Sequence, residues 1–389
     1  METVVYIRGA RRTPVGALAG ALADVPAPDL GAVAIRAALS DSGLAAEDVA
    51  ECVIGNVLSA GVGQAPARQA ALAAGLPEQV SCLTVNKVCG SGMQAVILGA
   101  QSILLDQPGS VVAGGMENMS RVPHLLPAMR RGSKLGHAEA IDAIIHDGLW
   151  DPYNDQHMGS CGEACARQYG FSREAQDEVA AESYRRAQAA QAGNDFDAEM
   201  APVEVKIRRG VHEVSRDEGP DQVDFDKMSQ LRTVFDRDGT ITAANASTIN
   251  DGAAALVLSS EPGADPLARL VAWGSNSSDP VAFPSAPVAA IERALEKAGW
   301  RVAEVDLWEV NEAFAVVPMC VMDDLRIPAE RMNVNGGAIS IGHPIGASGA
   351  RILVTLAHAM RQRGAKLGVA AICIGGGEAL AVCLKIESI

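Results

Sequence analysis

The stretch CGSGMQAVILGAQSILLDQPGSVVAGGME, residues 89–117, contains the pattern that decides the fold. It opens with a turn of small residues, continues with apolar residues at helical spacing from Met93 to Leu104, and ends in the apolar run 110–113 before Gly114. A glycine-rich turn, an amphipathic helix and a continuous apolar strand are the units of an α/β layer fold in which both sheet faces are covered. The sequence therefore predicts an α/β fold.

The same order of features returns in residues 346–378, GASGARILVTLAHAMRQRGAKLGVAAICIGGGE. Apolar residues again recur at helical spacing from Ile352 to Met360, and the apolar run 368–373 again leads into glycines and a glutamate. The flanks repeat as well, with predicted strands at 4–7, 255–258, 270–273 and 380–384. This duplication predicts two similar α/β domains.

Residues 120–247, between the two copies, differ in composition: they mix charges with Tyr, His, Pro and Gln, and include an acidic run from Glu213 to Asp226. The segment is too long for a structureless connection within a compact domain. We interpret it as a large insertion that packs over one face, and such insertions usually carry ligand contacts. The predicted boundaries are 1–119 with 248–263 for the first domain, 120–247 for the insertion and 264–389 for the second domain.

Composition and charge narrow the class of protein. The 389 residues are 48% hydrophobic, yet no run approaches the roughly 18 apolar residues of a membrane helix. The first residues lack a signal or transit pattern, so a cytoplasmic protein without membrane contact is expected. The net charge of −15 argues against nucleic-acid binding, and an anionic ligand would need a local positive patch. The eight cysteines form no CxxC pair, as expected of reduced core residues.

Cys89 lies in NKVCGSG, residues 86–92, directly before the helix predicted over 93–105. The N-terminus of a helix carries unpaired N–H groups and partial positive charge, which favour a thiolate over a thiol. The small residues that follow would let an extended substrate approach the backbone. From these residues alone, a nucleophile and an ordinary buried cysteine both remain open.

Three further residues are candidates for chemistry. His343 lies between a glycine and a proline in the glycine-rich stretch 333–349, which is typical of a presented imidazole that activates a thiol, although a structural histidine stays open. Cys373 ends an apolar strand before a glycine-rich loop, where α/β active sites collect, but its local sequence favours a core cysteine. Asn311 is polar among apolar neighbours, and a capping role and a polarising role are equally consistent with that.

Together these segments resemble the thiolase family along nearly the whole chain. The matching segments are NKVCGSGMQAV around Cys89, VNEAFA at Asn311, NVNGGAISIGHPIGASGAR around His343 and CIGGGE at Cys373, with weaker matches in GNVLSAGVGQAPARQAAL, AGGMENMS and TAANASTINDGAAALVLSS. The resemblance implies a duplicated thiolase-like fold of five layers, α-β-α-β-α, with an inserted loop domain. It also implies a homotetramer built as a dimer of dimers, with segments near 124–136 as candidate contacts.

The resemblance implies acyl transfer between coenzyme A thioesters. Cys89 would accept the acyl group while His343 takes its proton, and Cys373 would move the α-proton of the second acyl-CoA. Asn311, through a water, and His343 would stabilise the enolate oxygen, and the backbone N–H groups of Cys89 and Gly375 would form a second oxyanion hole. The implied activity is that of an acetyl-CoA C-acetyltransferase, which condenses two acetyl-CoA reversibly or cleaves short 3-ketoacyl-CoA. Coenzyme A is substrate and product, and no cofactor is required.

Within the family, FPSAPVAA (283–290) and DLWEVNEAF look most like the short-chain acetoacetyl-CoA branch that also takes 2-methyl substrates. The expected coenzyme A contacts are His157, Met158, Tyr184, Val223, Asp224, Lys227 and Ser247. The branch also implies a potassium ion at Tyr184, Ala243, Ala244, Ala246 and the carbonyl of Ile339. Gln222 and Gly219-Pro220 depart from the branch, so contacts to the adenine and 3′-phosphate are expected to differ.

Other functions compete with this one. A 3-ketoacyl-CoA thiolase of broader chain length would share the same residues, whereas a non-catalytic acyl-CoA or lipid carrier would be expected to lack the nucleophile. A decarboxylating condensing enzyme would have histidine where this chain has Cys373. A thiol redox protein would want a resolving cysteine near Cys89, but Cys82 is seven residues away.

Overall fold

The computed structural model describes residues 3–105 and 109–387. The helices in these residues are α1 (Ala27–Ser42), α2 (Pro66–Ala73), α3 (Ser91–Leu104), α4 (Met158–Tyr169), α5 (Arg173–Gly193), α6 (Phe225–Met228), α7 (Pro287–Ala298), α8 (Val316–Leu325) and α9 (Ile345–Arg363). The strands are β1 (Val5–Arg12), β2 (Gly16–Ala17), β3 (Val49–Gly55), β4 (Ser81–Val85), β5 (Ser110–Asn118), β6 (His124–Leu125), β7 (Ile141–Asp142), β8 (Trp150–Asp151), β9 (Gln156–His157), β10 (Val203–Ile207), β11 (Gly210–Val214), β12 (Asn250–Ser259), β13 (Ala268–Ser277), β14 (Leu307–Val310), β15 (Leu367–Ile374) and β16 (Glu378–Lys385).

The sheet repeats the duplication seen in the sequence. Its strand order is β14-β15-β16-β13-β1-β12-β5-β3-β4, with β2 paired to β12. In each half the opening strand pairs with the closing strand (β1 with β12, β13 with β16), and β5 and β15 hold equivalent places beyond them. The opening strands β1 and β13 pair antiparallel, with Val5 opposite Leu270, and this contact joins the halves.

Three apolar clusters separate the layers. One lies between the halves and contains residues of α3 and α9 with inward residues of both sheet halves. A second packs α1 and α2 on the outer face of the first half, and a third packs α7 and α8 on the outer face of the second. The order helix, sheet, helix, sheet, helix confirms the predicted five-layer α/β fold.

Glycines allow the two central helices, α3 and α9, to pack closely against each other. A Cβ at Gly92 of α3 would lie 2.8 Å from the backbone nitrogen of Ala350, and one at Gly349 of α9 would lie 2.5 Å from that of Met93. Because neither contact leaves room for a side chain, the first turns of α3 and α9 pack backbone to backbone. Cys89 and His343 precede these two turns, so the helix contact brings them towards each other.

The segment predicted as an insertion contains α4, α5, α6 and the β10–β11 hairpin. The buried Arg12 of β1 holds it by ion pairs to Glu199 and to Asp217, the latter at 2.7 Å. The predicted domain boundaries remain predictions. In the described ranges 3–105 and 109–387, no helix has both the length and the apolar character needed to cross a membrane.

Candidate functional site

The turn that carries Cys89 is held in an unusual backbone conformation. Val88 has a φ of 45°, which is strained for a β-branched residue. The Ser91 hydroxyl accepts the Lys87 N–H at 2.8 Å and donates to the Val88 carbonyl at 2.7 Å, and Asn86 Oδ1 accepts the Val88 N–H at 3.0 Å. These bonds hold Cys89 at the start of α3, which begins two residues earlier than predicted.

Hydrogen bonds also orient the His343 ring. Its backbone N–H donates to Asn250 Oδ1 at 2.9 Å, and its Nδ1 lies 2.6 Å from Ser348 Oγ. Ser348 Oγ donates a hydrogen bond to the Pro344 carbonyl at 2.9 Å, so it accepts the hydrogen bond from the Nδ1–H group. The tautomer assigned this way leaves Nε2 unprotonated, and in the described residues Nε2 has no hydrogen-bond partner.

Cys373 and Gly375 come from the end of β15. The turn to β16 needs positive φ at Gly376 and Gly377, 91° and 85°. This turn aims the Gly375 N–H at the Cys89 sulfur, to which it hydrogen-bonds. Cys373 is fully buried, and burial together with the neighbouring Cys89 raises the pKa of its thiol well above the usual value. Of these two cysteines, Cys89 lines a cavity and Cys373 does not.

A cavity of about 280 Å³ opens onto Cys89. Of the residues predicted from the sequence, it is lined by Cys89, His157, Met158, Ala246, Ser247, Phe283, His343 and Gly375. The remaining wall was not predicted and consists of Met119, Gly148, Leu149, Val234, Phe235, Thr248, Ile249, Ala313, Phe314 and Ile345. A larger cavity, of about 480 Å³ near the end of α5, contains none of the predicted site residues.

Neither Asn311 nor Cys373 lines this cavity. Asn311 is fully buried, its N–H donates to the Ala371 carbonyl at 2.9 Å, and its side-chain Oδ1 and Nδ2 have no partner in the described part of the chain. A buried amide without partners costs about 1–3 kcal/mol per group, so such groups usually serve a ligand or an ordered water. Asn311 thus provides an unused donor and an unused acceptor.

Burial determines the protonation states of Cys89 and His343. It raises the pKa of the Cys89 thiol to about 11, although N–H groups of Gly375 and Cys89 itself favour the thiolate. The N–H groups thus favour the thiolate as expected, but desolvation outweighs them, so the net pKa of the thiol is raised. Burial, and then the charge of Arg351, lowers the pKa of His343 to about 3. At neutral pH the pair consists of a thiol and a neutral imidazole.

Aromatic packing forms the apolar side of the cavity. The ring of Phe235 stacks on His157 with centroids 4.7 Å apart and meets Phe314 edge-on at 6.0 Å. His157 also caps α4, since its Nδ1 accepts the Gly159 N–H at 3.0 Å. Opposite, residues Ile144–Leu149 form a π-helix, a rare element that often marks functional sites. Neither feature has a signature in local sequence that could have located it.

Four of the expected coenzyme A contacts do not line this cavity. Tyr184 is buried, and half-buried Val223 packs against the apolar cluster that contains it. Asp224 and Lys227 are exposed and form an ion pair of 2.7 Å. Because Asp224 neutralises Lys227, the local positive patch expected there is weaker than the sequence suggested.

The residues expected around potassium are divided among three environments. Tyr184, Ala244 and Ile339 belong to one buried cluster. Ala246 lies in the neighbouring cluster and lines the cavity, and Ala243 is exposed. The segment 243–246 thus runs from the surface, past the buried cluster at Ala244, to the cavity wall at Ala246.

Comparison with known proteins covers nearly the whole chain. Residues 5–262 match the family model described as "Thiolase, N-terminal domain", and residues 264–386 match "Thiolase, C-terminal domain". An acetyl-CoA acetyltransferase of Schizosaccharomyces pombe is 47% identical over 392 residues, covering 99% of both chains. One of Cupriavidus necator is 50% identical, covering 98% of this chain and 99% of its own. Acetyl-CoA acetyltransferase 2 of Arabidopsis thaliana is 49% identical, covering 98% and 97%.

Proposed function

The chain belongs to the thiolase family, and from that premise we propose that it is an acetyl-CoA C-acetyltransferase. It joins two acetyl-CoA into acetoacetyl-CoA and free coenzyme A, or runs the same reaction backwards as thiolysis of short 3-ketoacyl-CoA. The observation that supports this best is a single cavity onto which Cys89, the Gly375 N–H group and His343 all open.

In the first half-reaction the sulfur of Cys89 attacks the acetyl carbonyl. His343 Nε2 takes the thiol proton and passes it to the departing coenzyme A sulfur, so the products are acetyl-Cys89 and a neutral CoA thiol. The N–H groups of Gly375 and Cys89, which contact the Cys89 sulfur, are suited to stabilise the tetrahedral oxyanion. Since both reactants begin neutral, proton transfer and attack are coupled.

In the second half-reaction Cys373 acts as the base. Its proton passes to His343, its thiolate takes the α-proton of the second acetyl-CoA, and the enolate attacks acetyl-Cys89. Cys89 then leaves and recovers its proton from His343, which restores the resting state. The unpartnered amide of Asn311 supports its role, through a water and together with His343, in stabilising the enolate oxygen.

The pantetheine arm of coenzyme A is assigned to one part of the cavity wall. Met158, Ser247 and the stacked pair His157–Phe235 offer an apolar channel with one hydroxyl, which suits a pantetheine arm. Val223, Asp224 and Lys227 lie outside this wall, and we assign them to the nucleotide end. There the 3′-phosphate would have to displace Asp224 from Lys227.

The chain-length preference is tested with a panel of thiolysis substrates. Buried Phe283 narrows the cavity of about 280 Å³, so rates with acetoacetyl-CoA and 2-methylacetoacetyl-CoA are expected to exceed those with six-carbon and longer 3-ketoacyl-CoA by at least about tenfold. Equal rates along the panel would favour a thiolase of broader chain length. Absence of turnover on every substrate would favour the non-catalytic carrier.

Potassium is part of the proposal because Tyr184, Ala244 and Ile339 share one buried cluster beside the cavity segment. An alkali-metal ion held there by carbonyl oxygens would order residues 243–246 and so support substrate binding at Ser247. Exchanging sodium for potassium at constant ionic strength is expected to change KM by at least about threefold. Identical KM and kcat in the two salts would remove the ion from the account.

We also propose the homotetramer, a dimer of dimers, that the family relationship implies. The apolar side chains of Leu126, Met129 and Leu135 are exposed in the segment 124–136, and Leu135 is 98% exposed. Exposed apolar groups of this kind favour a protein contact. Sedimentation velocity would detect the tetramer, and a monomer at micromolar concentration would contradict it.

A further inference from the structure

Two glutamates occupy equivalent places in the internal repeat. Glu117 ends the run GGME near the end of β5, and Glu378 ends the run GGGE that follows β15 and is the first residue of β16. Each contacts the catalytic turn that belongs to the opposite half of the chain: Glu117 contacts the start of α9 beyond His343, and Glu378 contacts Lys87, two residues before Cys89. The duplication thus places one carboxylate against each catalytic turn.

Glu117 is fully buried and accepts four hydrogen bonds. Its Oε2 accepts the Gly346 N–H of α9 at 3.0 Å and the Val57 N–H at 3.0 Å. Its Oε1 accepts the Leu58 N–H at 3.1 Å and the Asn56 amide at 2.7 Å. Since all four partners are donors, the site is built for an ionised carboxylate, which offers acceptors only.

The α9 helix depends on this carboxylate for its first turn. Its N-cap residue is Pro344, and no side chain of its own caps it. A carboxylate at a helix N-terminus satisfies a free N–H and interacts favourably with the helix dipole. A Cβ at Gly346 would lie 2.5 Å from Glu117 Oε2, so a side chain there would displace the contact. Ser348, which orients the His343 ring, lies in this same turn.

Glu378 forms the reciprocal contact more weakly. It pairs with Lys87 and accepts the Ser277 hydroxyl at 3.1 Å, and about a third of its side chain is exposed. A partly exposed ion pair of this kind contributes little and weakens with added salt. Glu378 is therefore expected to stabilise its catalytic turn less than Glu117 does, although the two occupy equivalent places in the repeat.

We propose that Glu117 is a positioning residue for His343, because it fixes the first turn of α9 from the other half of the chain, and that Glu378 positions the Cys89 turn through Lys87. This inference rests on the proposed function, in which His343 moves the proton of Cys89. Burial raises the pKa of Glu117 to about 7, and Asp251 of β12 is the charged group that faces it, whereas segment 56–58 and α9 present N–H donors. Protonation removes one acceptor, so kcat falls as the pH drops below about 7.

The test compares Glu117→Gln with Glu163→Gln. Glu163 is an equally buried carboxylate that holds a loop, accepting the Thr240 N–H at 2.9 Å and the Ile241 N–H at 2.8 Å, without contact to either catalytic turn. Glu117→Gln is expected to lower kcat about 10–100-fold with KM within about threefold, and to remove the acid limb of the kcat profile near pH 7. Glu163→Gln is expected to lower the melting temperature but leave kcat and its pH profile within about threefold.

A second measurement does not depend on turnover. The rate at which iodoacetamide alkylates Cys89 depends on His343 as the proton acceptor, so Glu117→Gln is expected to slow it at neutral pH while Glu163→Gln does not.

Glu378→Gln should lower kcat less than about fivefold, with a difference from wild type that shrinks in high salt. The inference is overturned if Glu117→Gln and Glu163→Gln lower kcat equally, or if Glu117→Gln keeps the wild-type pH profile and alkylation rate. A wild-type protein that turns over no substrate but shows the alkylation difference would reject the proposed function alone.

Discussion

Replacing Cys89 by serine is expected to lower the condensation and thiolysis rates by on the order of 10⁴-fold or more. The hydroxyl has a far higher pKa than the thiol, so the neutral imidazole of His343 activates it much less than it activates the Cys89 thiol. The pocket stays nearly unchanged because the two side chains have almost the same shape. Steady-state rates with acetoacetyl-CoA and coenzyme A provide the measurement.

Cys82→Ser is the matched control for this variant. Cys82 is half-buried on β4, seven residues before Cys89, and does not line the cavity. Its replacement should leave kcat within about threefold. A Cys89→Ser variant that kept a tenth of the wild-type rate would mean that another group accepts the acyl chain.

Cys373→Ser is expected to lower the rate of condensation about 10³-fold while leaving acetylation of Cys89 intact. A decrease of this size is usual when a general base is removed, and only the step that forms the enolate is expected to be slower. A single turnover with acetyl-CoA should therefore still release one equivalent of coenzyme A, after which the reaction stops. Rapid-quench measurement of CoA release separates the two half-reactions.

Cys383→Ser controls for burial. Cys383 is as deeply buried as Cys373, belongs to the same apolar cluster and lies on the neighbouring strand β16, but the proposed mechanism gives it no role and it does not line the cavity. Its replacement should lower the free energy of unfolding and have a smaller effect on kcat. If Cys373→Ser also lost the burst of coenzyme A, Cys373 would be needed for acylation, and the division of labour proposed here would be wrong.

The sequence predicted those parts of the fold that depend on local pattern. The glycine-rich turns before α3 and α9 and the apolar runs that became β5 and β15 could be recognised because helical spacing and continuous apolar strands are short-range properties. The family resemblance then supplied the order of the five layers. The insertion was recognised from its change of composition, but its attachment through Arg12 to Glu199 and Asp217 joins residues about two hundred positions apart.

The site was predicted less completely, for physical reasons. His157, Met158, Ser247 and His343 could be named from motifs, whereas Phe235 and the π-helix line the cavity only because distant segments meet there. The net pKa of Cys89 could not be predicted because a helix N-terminus is visible in the sequence and the desolvation that opposes it is not. The contacts of Glu117 could not be predicted because each is made across the two halves or between separate loops.

The most direct test is mass spectrometry of the intact protein after brief exposure to acetyl-CoA, followed by mapping of the modified peptide. The wild-type protein is expected to gain one acetyl group per chain, attached to Cys89; the gain is expected in Cys373→Ser as well and not in Cys89→Ser. An acetyl group on any other residue, or a wild-type chain that stays unmodified while it turns over substrate, would contradict the claim that Cys89 carries the acyl intermediate.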